Sequence, residues 1–189
     1  MKPNQAFLLL AAATLAAAIL ACTIDVGGPA YPSETIPVST QAVGEMRTAI
    51  QTAVAAATES GQLTIIISET QLTSYLTYKF ESQANPIFRN PQVYLRNNQI
   101  QIYGTARSGY LQATARVVMA PAIDENGKLY LELVSADFGP LPIPEGLREA
   151  VTAVISEAYT GALGPVATGF RLQTIIVAEG YMLLIGTIR

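Results

Sequence analysis

The chain has 189 residues, half of them apolar, which is enough for one domain of ordinary size with a sizeable core. Its 11 Lys and Arg stand against 14 Asp and Glu, a formal charge of −3 with no basic cluster, so nucleic acid is not an expected partner. Histidine is absent and Cys22 is the one cysteine, which removes His-dependent triads, thiol catalysis, His/Cys metal sites and any internal disulfide.

The N-terminus is read first as a targeting segment. Lys2 precedes an apolar run from Ala6 to Ala21 that is short for a membrane span and has no basic cluster after it. The run closes on Ile19-Leu20-Ala21-Cys22, which resembles a bacterial lipobox. That resemblance implies a lipoprotein signal peptide over residues 1–21, cleaved before Cys22, with diacylglycerol on the Cys22 sulfur and an acyl chain such as palmitate on the mature protein. It places the protein outside the cytoplasm, lipid-anchored to the cell membrane. An uncleaved N-terminal anchor is the alternative. Residues 22–40 are rich in Gly, Pro, Ser and Thr without periodicity and read as a flexible tether. Residues 41–189 then form a single domain, with no internal repeat.

Gln41 to Ser60 carries Ala42, Met46, Ala49, Ile50, Ala53, Val54 and Ala57 at helical spacing, and Gly61 stops it. Leu63 to Ile67 is a β-branched strand. Ser68 and Gln71 are spaced as a capping box for a helix whose inner side is read as Leu72, Tyr75, Leu76, Lys79 and Phe80. Breaks follow at Asn85-Pro86 and Asn90-Pro91, and from Val93 the period becomes two. Ile100, Ile102, Gly104 and Ala106 face one way, and after the Ser108-Gly109 turn so do Leu111, Ala113, Ala115, Val117 and Met119. Asp124-Glu125-Asn126-Gly127 is a hairpin turn, from which Leu129, Leu131 and Leu133 return on the same face. The pattern is an antiparallel meander with one dry face and one wet face, the wet one carrying Tyr94, Tyr103, Tyr110 and Tyr130.

Leu147, Ala150, Val151, Val154, Ile155, Ala158 and Ala162 form the apolar stripe of a long amphipathic helix, led in by Pro142 and Pro144 and ended by Gly161, Gly164 and Pro165. A last hairpin pairs Phe170 to Ala178 with Tyr181 to Ile188. Its faces read as Leu172, Ile176, Leu184 and Ile188 against Ile175, Val177, Leu183 and Ile185, so the strands are expected to be buried on both sides or to meet an apolar partner.

Catalytic apparatus is hard to find. Asp124 with Glu125 sits in a turn, and Glu145 with Glu149 sits at a helix start, where carboxylates favour the macrodipole. Tyr75-x-x-x-Lys79 matches a dehydrogenase dyad without the Gly-rich loop it needs. Gly164 to Gly169 has phosphate-loop spacing but Phe170 and Arg171 where Lys and Ser/Thr belong. No enzyme activity, metal or cofactor is expected.

The segment order is similar to tubular lipid-binding (TULIP-like) bacterial envelope proteins, the LmeA-like, YpmS-like and YceB-like families. The likeness spans Leu63 to Arg189. It rests on a short strand and helix (Thr64 to Leu76), a long meander, the turn Gly139, Leu141, Pro142, Pro144, an amphipathic helix and a final strand pair. The resemblance implies an α+β fold in which a strongly curved antiparallel meander sheet wraps a long amphipathic helix, with one or two additional N-terminal helices. It implies acyl chains held between them. The expected apolar slot is Ile100, Ile102, Leu111, Ala113, Ala115, Val117, Leu129, Leu131, Leu133, Leu147, Val151, Val154 and Ile155, and the expected function is binding or transfer of lipid or another apolar ligand. The alternative is a ligand-free interaction or scaffold lipoprotein with a filled core, using the wet-face tyrosines.

Overall fold

Among the described residues, two sheets and two helices build a mixed α+β fold in which the sheet curls strongly into a half-barrel. The computed structural model describes residues 23–82, 86, 88–142 and 169–188. In chain order the elements are β1 (Ile24–Asp25), α1 (Thr40–Ser60), β2 (Gln62–Ser68), α2 (Glu69–Glu81), β3 (Phe88–Arg96), β4 (Gln99–Ser108), β5 (Leu111–Ile123), β6 (Leu129–Asp137), β7 (Phe170–Ala178) and β8 (Tyr181–Ile188). The larger sheet runs β3-β4-β5, with β6 and the short parallel β1 on the far edge of β5. The smaller sheet is β2-β8-β7. The long amphipathic helix expected over Leu147 to Ala162 and the lipidation residue Cys22 lie outside the described residues.

Local signals set most boundaries. Ser39 accepts from the Gln41 and Ala42 N–H groups at the start of α1, and Gly61, at φ 75°, closes it. The Ser68/Gln71 capping box forms in both directions. Asp124 accepts from the Asn126 and Lys128 N–H groups and so shapes the β5–β6 turn. Those two backbone bonds hold the exposed Asp124 carboxyl below the usual aspartate range, the Lys128 contact first. Its role is structural.

The core lies between the two sheets under the helices. Met46, Ile50 and Ala57 of α1, Leu63, Ile65 and Ile67 of β2, and Leu76 and Phe80 of α2 are buried against Val93, Leu95, Ile102, Ala115 and Val117. Burying each of the large aliphatics contributes about 1.5–3 kcal/mol. Gly104 is small because the Phe88 ring lies where its Cβ would stand.

Three expectations change here. The inner side of α2 is Thr73, Ser74, Leu76, Thr77 and Phe80, while Leu72, Tyr75 and Lys79 are only partly covered. The hydroxyls are tolerated inside because each is used: Val93 N–H donates to Thr73 Oγ1 (2.9 Å), Ser39 N–H to Ser74 Oγ (3.0 Å), and Thr77 Oγ1 to the Thr73 carbonyl (2.8 Å). In β7 a bulge between Leu172 and Thr174 shifts the pleat, so Leu172, Ile175 and Val177 face inward and Ile176 outward. The outer face of the small sheet, with Ile66, Leu183 and Ile176 in one cross-strand row, is open rather than buried.

The third change is the segment expected as a free tether. From Ile24 onward it is strapped across the outer face of the large sheet. β1 pairs with Leu111 and Gln112, and the Ile36 N–H and carbonyl bond the Gln92 side chain reciprocally (2.6 and 3.2 Å). Tyr94 OH donates to the Glu34 carbonyl at 2.5 Å. Gly28, at φ 129°, lies so close to the Thr114 backbone that a Cβ would collide with it. The wet face is therefore dry in its middle: Tyr94 and Tyr103 are buried with Ile36.

At one end the two sheets and α2 are joined through Glu69. Its N–H donates to Gly180 O (3.1 Å), Gly180 N–H donates to Leu95 O (3.2 Å), and Leu95 N–H returns to Glu69 Oε1 (2.6 Å). Arg96 pairs with the same carboxylate and, at 2.9 Å, with the exposed Glu179. Glu69→Ala is expected to lower stability by about 1.5–3 kcal/mol, the worth of charge-assisted bonds at a part-buried site. Glu179→Ala should change it by less than about 1 kcal/mol. Urea denaturation of the two variants checks the ranking; equal effects would remove Glu69 from this role.

Candidate functional site

Register sorts the inner face of the large sheet into rows. Val93, Ile102, Val117 and Ala136 form one, and Leu95, Ile100, Met119 and Leu133 the next. Beyond them stand Pro121 with Leu131 and Ile123 with Leu129. Cover thins along each row from β3 to β6. Leu95, Ile100 and Met119 are buried, while Leu133 at the end of the same row is 49% exposed. The cause is the position of the helices. α2 packs on β3 and α1 on β2, so neither lies over β6.

The expected slot residues thus fall into three groups. Ile100, Ile102, Ala113, Ala115 and Val117 sit in the central core cluster against side chains of α1, β2 and α2. Leu129 and Leu131 are partly buried against that cluster, and Leu133 stands at its open flank. Leu111 continues the inner face past the end of the core, and is exposed. Leu147, Val151, Val154 and Ile155 lie outside the described residues. Val134 was not anticipated; the β-bulge after Val118 sets it outside the pairing, half-exposed beside Leu133. Nothing in the alternation signals that bulge.

Two recesses among the described residues lie elsewhere. One, of about 310 Å³, is bounded by Thr77, Phe80, Glu81, Phe88 and Arg89 between the end of α2 and the β3 bulge. The other, of about 810 Å³, is a wide groove bounded by Asn126, Lys128, Arg171, Thr187 and Ile188. Neither is lined by the apolar rows. No group of three or more His, Cys, Asp or Glu side chains comes together among the described residues.

The outer face offers a different surface from the one expected. Tyr103 packs against Tyr94 edge-on (5.6 Å between ring centres) and against Tyr31 of the strap (5.8 Å). Tyr110 and Tyr130 remain exposed. Burial raises the hydroxyl pKa of Tyr31, and burial followed by the Glu69 charge raises that of Tyr94.

No protein-family model matches the chain, and no curated protein is significantly similar to it.

A raised tyrosine pKa stabilises the strapped form fully below the unfolded value of about 10 and loses that contribution as pH climbs through the folded values. In a spectrophotometric titration of tyrosinate, Tyr31→Phe and Tyr94→Phe are each expected to remove part of the latest-ionising absorbance. Packing gives a second expectation. Ala115→Phe overfills a closed site and should cost about 1–3 kcal/mol. Leu133→Ala, at a half-open one, should cost well below the ~2–5 kcal/mol of a fully buried leucine. Thermal melts of both variants test this; a harmless Ala115→Phe would mean free volume in the middle of the face.

Proposed function

We propose that this protein is a membrane-anchored envelope lipoprotein that binds or transfers lipid or another apolar ligand along the β6 flank of its curled sheet, and that it is a binding protein and not an enzyme. The observation that carries the reading is the apolar row that runs from a sealed core at Leu95 to the half-exposed Leu133. Leu133 and Val134, half-exposed side by side and continuous with the core, make an apolar edge suited to an apolar ligand.

The path of the chain supports it. β6 ends beside Arg116, and β7 begins at the opposite end of β6, where Leu172 N–H donates to Gly127 O (2.9 Å). The described ends of chain on either side of residues 143–168 thus stand at opposite ends of β6, roughly 30 Å apart. The helix that the apolar spacing predicts over Leu147 to Ala162 would be about 24 Å long, a length that fits between those ends. In this reading the sheet wraps the amphipathic helix, and an acyl chain lies between Leu129, Leu131 and Leu133 on one side and Leu147, Val151, Val154 and Ile155 on the other. Acylated Cys22 would hold the protein on the extracytoplasmic face of the cell membrane.

A scaffold lipoprotein without ligand is the second reading, favoured by one observation: the open row Ile66, Leu183 and Ile176 on the small sheet. The two separate on organic extraction of the full chain purified from its membrane, with mass spectrometry of the extract. Co-purifying lipid, and loss of fluorescent acyl-probe binding by several-fold in Leu131→Glu and Leu133→Glu, is the expected result. Ile66→Lys and Ile176→Lys should leave probe binding unchanged. An empty extract together with no probe binding sinks the lipid reading.

A further inference from the structure

The tip of the β4–β5 hairpin is the most exposed apolar point among the described residues that is tied to the incoming N-terminal chain. Tyr110 is 65% exposed, Ile24 58% and Leu111 38%. They stand together at the tip: Ile24 N–H donates to Tyr110 O (2.8 Å) and Ile24 is in register with Leu111. Val26 N–H to Gln112 O and Thr114 N–H to Gly27 O, both 2.9 Å, continue the attachment, so the chain reaches β5 already fixed in direction. Arg107 is exposed at the same tip. Asp25 is the nearby acid, and its carboxylate is engaged by the Gly27 N–H at 2.8 Å.

From these we infer that the β4–β5 tip, with Ile24, Tyr110, Leu111 and Arg107, is a surface that docks directly on a lipid bilayer. The inference rests on the membrane anchoring proposed above, and what carries it further is distance. The apolar run Ala6 to Ala21 and Cys22 end two residues before Ile24. Two extended residues reach about 7 Å. Whether the bilayer holds an acylated Cys22 or the uncleaved run, Ile24 is leashed to the interface within that distance, with no free tether between. The chemistry of the patch fits the place it is held. Tyrosine favours the headgroup level, aliphatic side chains enter the acyl boundary, and an arginine attracts anionic headgroups. The fold then stands end-on, with the Glu69–Gly180 junction at the far end of β4, roughly 30 Å from the lipid.

The chain contains no tryptophan, so a single introduced one reports its own surroundings. The full chain is reconstituted with vesicles of phosphatidylcholine and a minor share of phosphatidylglycerol, with or without lipids brominated near the headgroup. Flotation of the vesicles reads anchoring, and quenching reads docking. Tyr110→Trp and, from the strap side, Ile24→Trp are expected to be quenched several-fold more than Tyr181→Trp, which reports from the far end. If the protein floats and all three variants are quenched equally weakly, docking is overturned while anchoring stands. If it does not float, anchoring fails and docking fails with it.

Discussion

One carboxylate, that of Glu69, lets three separate pieces of chain end at the same point. Its backbone caps into the β7–β8 turn, its side chain takes the Leu95 N–H, and Arg96 closes over it. The small sheet shares no strand with the large one. Their relative placement is held by this junction, by the Leu172 N–H bond to Gly127 O at the β5–β6 turn, and by the apolar residues between the sheets. Of the two ion pairs at Arg96, the one to Glu69 has the part-buried backbone bond beside it, and the one to Glu179 is a surface pair of small worth. The inner rows are left open at β6 because α1 packs on β2 and α2 on β3.

What could be read from the sequence was what local chemistry decides. The hairpin Phe170–Ala178 with Tyr181–Ile188, the capping box at Ser68, and the inward alternation of β4 and β5 are each written within a few neighbouring residues. The inner side of α2 follows the apolar spacing at Leu76 and Phe80, and departs from it beside them for a physical reason. Leu72 and Tyr75 pack on the edge of the core, while the fully buried places beside Leu76 and Phe80 are Thr73, Ser74 and Thr77, whose short side chains allow close approach and whose hydroxyls meet specific backbone partners. The extra residue in β7 inverts the faces of everything after it, and nothing in a run of β-branched residues marks where it falls.

The candidate flank was half legible. Leu129, Leu131 and Leu133 were placed on the inner face correctly, yet alternation alone could not tell that α1 and α2 would seal Ile100, Ala115 and Val117 and stop short of β6. That outcome is set by which strands the helices contact. The strap was invisible for a related reason. A Gly- and Pro-rich stretch lacks periodicity whether it is free or docked, and its attachments run to residues far along the chain.

Those attachments join residues far apart in the chain. Ile36 meets Gln92 across 56 residues and Glu34 meets Tyr94 across 60, contacts whose loop-closure entropy is spent before they return any stabilisation. Gln92 and Tyr94 come into position only with β3, and Leu111 and Thr114 only with β5. Without the strap, Tyr94 and Tyr103 would stand uncovered on the back of the sheet.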